Sequence, residues 1–144
     1  MGFMSEYNHT IDAKGRLIIP VKYRDGLGET FVVTRGIDGC LFFYTENEWQ
    51  AIMNKLNELR MTNKKAREFT RFLLGGATEV ELDSQGRILV PAFLREYADL
   101  EKEVVLVGMG NHIEVWSKAK YEQVMSDTNI EEIAEELDEA GIWI

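Results

Sequence analysis

Two arginines, Arg16 and Arg87, stand 71 positions apart in one recurring frame, Asp12-Ala-Lys-Gly-Arg-Leu-Ile-Ile-Pro20 and Asp83-Ser-Gln-Gly-Arg-Ile-Leu-Val-Pro91. A guanidinium is a planar fork that grips phosphate or the edge of guanine with two bonds at once. Asp12 and Asp83 suit the start of a tight loop, where a carboxylate accepts nearby backbone N–H groups. Gly15 and Gly86 suit its close, where the chain needs a positive φ. A structural Asp–Arg pair across each turn is the plainer reading, and such exposed pairs contribute little stability. It accounts for one occurrence better than for a cation presented at the loop tip, beside the same bend, in both copies. Contact with DNA through Arg16 and Arg87 is therefore the sharper expectation.

The repeat must be read as a tandem duplication, and the elements around it follow. The aliphatic triplets after each Arg predict short buried strands without a polar face. Pro20 and Pro91 fall where a short helix would begin, since proline there loses no needed donor. The helices should stop near Gly26 and Asp99-Leu100, and Arg24 and Arg95 keep the 71-residue offset. With a one-residue slip, Thr30-Phe-Val-Val-Thr-Arg-Gly36 matches Glu103-Val-Val-Leu-Val-Gly108, and Leu41-Phe-Phe-Tyr44 matches Ile113-Glu-Val-Trp116. Each unit reads strand, turn, strand, short helix, strand, Gly-containing hairpin, strand, helix. Ile52, Met53, Leu56 and Leu59 keep helical spacing and predict one buried stripe.

The 144 residues are enough for one real core but not for two independent ones, so the halves should share a sheet system. The expected division is a first repeat with its following basic helix over 1–75, a second repeat over 76–126, and an acidic helix or tail over 127–144. One cysteine, Cys40, excludes an internal disulfide framework and fits a reducing compartment. No apolar run reaches the roughly eighteen residues of a membrane span, and no signal segment is visible. The expected location is cytoplasmic, with no membrane partner.

The net charge of −9 is unevenly spread: residues 1–75 carry 11 Lys and Arg against 9 Asp and Glu, residues 76–144 carry 5 against 16. Seven acids lie after Ser126 with no base among them. Net charge governs solubility, whereas a local basic surface decides docking. Arg60, Lys64, Arg67 and Arg71 have the spacing of one helical face. That face is either simply solvated or a contact for phosphates or for the acidic tail of a neighbouring subunit. In the tail, Ile130, Ile133, Ala134 and Leu137 predict an amphipathic helix that Gly141 stops, with Ile142-Trp143-Ile144 as an apolar end. Enzyme chemistry finds no footing: His9, which should precede a strand, and His112 are isolated, Cys40 lacks a local base, and Gly75-Gly76 is no phosphate cradle. No cofactor, metal or small-molecule substrate is expected.

The doubled Asp-x-x-Gly-Arg motif, its following Pro and the opening Phe3-x-x-Glu-Tyr-Asn-His-Thr-Ile-Asp12 resemble the MraZ family of bacterial transcriptional regulators over essentially the whole chain. The resemblance implies an α+β, mainly β fold: two AbrB-like, swapped-hairpin halves in a pseudo-twofold barrel with flanking helices. It implies a ring-shaped homo-oligomer bound to repeated elements in double-stranded promoter DNA upstream of the division and cell-wall genes. Repression, autoregulation and association with the nucleoid come with it. DNA contact would fall on Arg16 and Arg87, with Lys14 as a phosphate contact and with Asp12, Asp83, Gly15 and Gly86 shaping the loops. Gln85 replaces the lysine in the second copy, so the two loops are not equivalent. The alternative is an AbrB-type antitoxin that binds DNA through its fold and a toxin through the acidic tail.

Overall fold

Alternating buried runs and glycine turns build two copies of one strand–turn–strand–helix–hairpin–helix unit. We describe them from a computed structural model covering residues 2–142. The first copy comprises β1 (Glu6–Thr10), β2 (Arg16–Ile18), α1 (Val21–Leu27), β3 (Thr30–Arg35), β4 (Leu41–Tyr44), α2 (Glu46–Asn57) and α3 (Lys64–Gly75). The second comprises β5 (Thr78–Glu81), β6 (Arg87–Leu89), α4 (Ala92–Ala98), β7 (Glu103–Gly108), β8 (Ile113–Ser117) and α5 (Lys118–Ser126), and α6 (Ile130–Glu139) closes the chain.

All pairings are antiparallel, and the halves exchange strands. β1 of the first copy pairs with β7 of the second, and β5 of the second pairs with β3 of the first. β4 and β8 meet in the middle, which gives the order β1-β7-β8-β4-β3-β5 in one six-stranded sheet. β2 and β6 form a separate two-stranded ribbon. The expected α+β class and shared sheet system are therefore present, but the expected barrel is not closed. β1 and β5 remain edges of an open sheet, because the strands that follow them leave it to form the ribbon.

The ribbon and the short helices α1 and α4 cover one face of the sheet. Leu17, Ile19, Ile88 and Val90 from the ribbon segments join Tyr23, Leu94, Phe31, Phe43, Leu106 and Val115 in one buried cluster. Cys40, Phe42, Tyr44 and Trp116 form a second cluster on the opposite face, with Trp49 and Ile52 of α2 and Tyr121 of α5 against it. Burial on both faces explains why Leu41-Phe-Phe-Tyr44 has no polar alternation: all four residues are buried.

Several sequence expectations shift locally. The triplets are not uniformly buried: Leu17, Ile19, Ile88 and Val90 point inward, while Ile18 and Leu89 face outward, as the two-residue period of a strand requires. Pro20 and Pro91 are N-caps, one position ahead of their helices, and α1 runs past Gly26 to Leu27, with Gly28 as its C-cap. α2 ends at Asn57, which leaves Leu59 exposed beyond it instead of on a buried stripe. Asn63 starts a new helix by accepting the N–H groups of Lys65 and Ala66. Arg60 therefore lies in the turn, and only Lys64, Arg67 and Arg71 share a helical face. His9 sits inside β1, not ahead of a strand. Ile142 is exposed, whereas Trp143 and Ile144, the rest of the expected apolar end, lie outside the described residues.

The last turn of α3 is tied to β3. The buried Thr34 hydroxyl donates to the Leu73 carbonyl, and Arg35 donates to the Phe72 and Arg71 carbonyls while its guanidinium lies over the Phe72 ring. A cation at a helix C-terminus also meets the negative end of the dipole. Thr34→Val keeps the shape but leaves that carbonyl unpaired, so we expect a loss of about 1–3 kcal/mol in chemical denaturation. An unchanged midpoint would show that the bond contributes nothing net.

Candidate nucleic-acid interface

The two loops are built alike, atom for atom. Asp12 Oδ1 accepts from the Lys14 and Arg16 amides at 3.0 and 2.9 Å, and its Oδ2 accepts from Arg16 Nε at 2.6 Å. Asp83 repeats this with the Gln85 and Arg87 amides at 2.8 and 2.9 Å and with Arg87 Nε at 2.9 Å. Main-chain bonds from Gly15 N to Asp12 O and from Gly86 N to Asp83 O, both 3.0 Å, complete each turn. Gly15 and Gly86 adopt φ of +90° and +73°, a region that L side chains rarely enter. Ala13-Lys14 and Ser84-Gln85 occupy the exposed tips. Arg16 and Arg87 are not at the tips, as the sequence reading had it; they open β2 and β6.

Both carboxylates sit below the ordinary value of 3.8, chiefly through the Arg16 and Arg87 backbone N–H groups, partly opposed by desolvation and aided by the guanidinium bonds. Each Asp–Arg bond uses Nε, the guanidinium nitrogen nearest the stem. The Nη pair, the part of the fork that reads phosphate or guanine, has no protein acceptor among the described residues. The ion pair and a nucleic-acid contact are therefore compatible: the carboxylate aims the group that would bind.

The ribbon places the two arginines together. β2 and β6 pair with Arg16 opposite Leu89 and Ile18 opposite Arg87, so all four side chains share the outward face. Arg16 and Arg87 are diagonal neighbours, about 7–8 Å apart at the backbone. Their side chains are 39% and 26% exposed, beside Ile18 at 44% and Leu89 at 60%. The result is a compact face with two cations, two aliphatic side chains and a loop at each end.

Each loop is held by the other half. Gly15 O accepts from Val90 N at 2.8 Å, and Gly86 O accepts from Ile19 N at 2.9 Å. Arg95 lies over Gly15 and Arg24 over Gly86, so closely that a Cβ on Gly15 would come within 2.7 Å of Arg95 Nε and one on Gly86 would overlap the Arg24 guanidinium. Arg95 and Arg24 are held in turn by Nε bonds to Val90 O and Ile19 O. Sequence reading noticed the 71-residue offset of these two arginines but gave them no role. It missed the outward Ile18 and Leu89 altogether, although strict alternation along β2 and β6 would have found them.

Other candidate groups lie elsewhere. Lys14 is exposed at its loop tip, and Lys64, Arg67 and Arg71 are on α3. Burial, and then the charge of Arg24, lower the His9 pKa. His112 packs on Phe42 and Tyr44 and is also lowered by burial. The Cys40 thiol donates to the Ile37 carbonyl and is pushed up to about 12 by burial. Among the described residues no three metal-ligating side chains cluster, and no helix is long and apolar enough to cross a membrane.

Interlocked halves that each lend a loop and an arginine to one ribbon define an α+β protein with a duplicated, cationic outer face. The family model described as "MraZ protein, putative antitoxin-like" matches the chain twice, at residues 2–72 and 73–141. The chain is 53% identical over 142 residues to the "Transcriptional regulator MraZ" of Alkaliphilus oremlandii (strain OhILAs), covering 97% of this chain and 99% of that protein. It is 54% identical over 141 residues to the protein of the same name from Thermoanaerobacter sp. (strain X514), covering 96% and 99%. The relative of that name from Acetivibrio thermocellus is 51% identical over 142 residues, again covering 97% and 99%. The chain belongs to the MraZ family.

Two outcomes test the loop geometry. Gly86→Ala adds both a positive-φ cost of roughly 1–2 kcal/mol and an overlap with Arg24. In an Arg24→Ala background only the backbone cost should remain, so the two substitutions should be non-additive in a thermal or denaturant cycle. Additivity would mean that Arg24 does not cover the glycine. Because the folded carboxylates of Asp12 and Asp83 are lowered, their contribution is complete above 3.8 and is lost as the pH falls through the lower folded values. NMR titration should place both midpoints below 3.8; ordinary midpoints would contradict the bonding described.

Proposed function

We propose that this chain is a sequence-specific DNA-binding transcriptional regulator that docks on double-stranded promoter DNA through the β2–β6 ribbon and its two loops. The observation that carries this reading is the pair of guanidinium groups on one outward face, each aimed by a carboxylate through Nε with its Nη edge free. In this reading Arg16 and Arg87 read bases or grip phosphate, and Lys14 adds a phosphate contact. Asp12, Asp83, Gly15 and Gly86 hold the loops in the binding shape. Ile18 and Leu89 suit contact with thymine methyl groups. The names of the relatives agree with this role.

The finer reading follows the family resemblance. The regulator represses the division and cell-wall gene cluster, its own promoter included, as a nucleoid-associated cytoplasmic ring in which each subunit meets one promoter repeat. The strand exchange between halves is what supports a swapped-hairpin reading. A net charge of −9 disfavours docking of one subunit, while a ring presents several ribbons at high effective concentration. The matching family description includes the words "putative antitoxin-like", and the acidic α6 leaves a surface on which a toxin would dock. A toxin frame immediately downstream of the gene would favour that second reading.

Arg16→Ala should weaken specific binding by about 1–3 kcal/mol without unfolding the chain. Arg87→Ala should cost less, since Gln85 leaves that loop one cation short. Wild-type affinity in a folded double variant would remove the ribbon as the DNA surface. For the ring, insertion of roughly half a helical turn between promoter repeats should abolish tight binding in gel shifts, and a full turn of about 10–10.5 base pairs should partly restore it. Indifference to helical phase would mean that subunits bind independently.

A further inference from the structure

α6 carries an apolar side on which Ile130 and Ile133 are exposed while Ala134 and Leu137 are half-buried. Ile130, Ile133, Ala134 and Leu137 form one stripe, and Ile130 is 68% exposed. Its start is secured locally: Asn129 accepts the Glu132 amide, and Glu131 and Glu132 sit at the positive end of the dipole. Glu136 flanks the stripe on one side and Glu131 and Asp138 on the other, and residues 127–139 hold seven acids and no base.

A surface of the opposite character lies between α2 and α3. A cleft of about 240 Å³ is lined by Ile37, Phe42, Ile52, Leu56, Phe69 and Leu73, with Lys55 at its edge. Ile37 and Phe69 are exposed there. On α3, Lys65 precedes Phe69 by one turn and so extends the same row of the helix. Residues 55–71 carry six bases against two acids, in a chain whose net charge is −9.

We propose that α6 of one subunit docks in the α2–α3 cleft of a second copy of this chain. The Ile130–Leu137 stripe fills the apolar floor, and the acids beside it, Glu136 on one side with Glu131 and Asp138 on the other, face Lys55 and Lys65. The fit rests on the matched apolar surfaces and the opposed charges, since a ten-residue helix spans about 15 Å and has the shape of helix-in-groove recognition. The Ile130–Ile133 end of the stripe and the cleft both stand open on one chain, so a second copy supplies the complement of each. Such a head-to-tail contact repeats from subunit to subunit and closes into a ring when the rotation allows. The inference deepens the ring reading given above and rests on it; DNA contact through the ribbon does not depend on it.

The test is complementation between two defective full-length chains, read by size-exclusion chromatography with light scattering. Ile133→Glu spoils the helix and leaves the cleft; Phe69→Glu spoils the cleft and leaves the helix, with Ile37→Glu as a second cleft variant. Circular dichroism establishes that each chain is folded. We expect wild type to run as a multi-subunit species, each variant alone at the single-chain 16.6 kDa, and the 1:1 mixture at twice that mass. Variants that keep the wild-type assembly would overturn the interface while leaving the ring reading intact. Single-chain variants that fail to pair on mixing would place α6 against its own chain and overturn it equally. A wild-type protein that is itself a single chain would overturn both the ring and this contact, and would leave α6 for a foreign partner.

Discussion

Each turn glycine lies beneath an arginine that belongs to the other half of the molecule, and the rest of the architecture depends on that reciprocity. Gly15 O and Gly86 O accept from Val90 and Ile19, and Arg95 and Arg24 close over the two glycines. Neither loop can therefore take its shape without the partner repeat. The same exchange runs through the sheet, where β1 and β5 each complete the other half's strand set. Two copies of a unit too small to bury its own strands become one core by sharing edges.

This constraint also prepares the proposed binding face. A guanidinium on a flexible stem loses considerable rotamer freedom when it grips a ligand. Here Asp12 and Asp83 have already fixed Arg16 and Arg87 through Nε, and the ribbon has fixed the carboxylates relative to each other. Pre-organisation of this kind lowers the cost of binding without adding a contact. The exposed ion pair need contribute little to folding to be useful; its geometry is what matters.

Much of this was legible because the chain says it twice. The Asp-x-x-Gly-Arg frames, the strands Thr30–Arg35, Leu41–Tyr44 and Glu103–Gly108, and the short helices after Pro20 and Pro91 all follow from repeated local chemistry. What was not legible is non-local. The 71-residue offset of Arg24 and Arg95 was visible, but nothing in one sequence says that Arg24 covers Gly86 instead of its own loop. The open sheet likewise depends on where β2 and β6 go after leaving it. The spacing of Arg60, Lys64, Arg67 and Arg71 read as one helix because spacing ignores caps, and Asn63 breaks the run. The assignment of Ile18 and Leu89 to a buried strand failed for a different reason: three aliphatic residues in a row hide the alternation that a two-stranded ribbon enforces.

The most direct test of the central claim is an amide NMR titration of the labelled chain with a short duplex carrying promoter repeats. If the interlocked ribbon is the DNA face, shifts should concentrate at residues 13–18 and 84–89 together, with Ile19 and Val90 following because their amides hold the opposite loops. Shifts confined to Lys64–Arg71 on α3, or to one loop with the other silent, would contradict a single binding surface built jointly by the two halves.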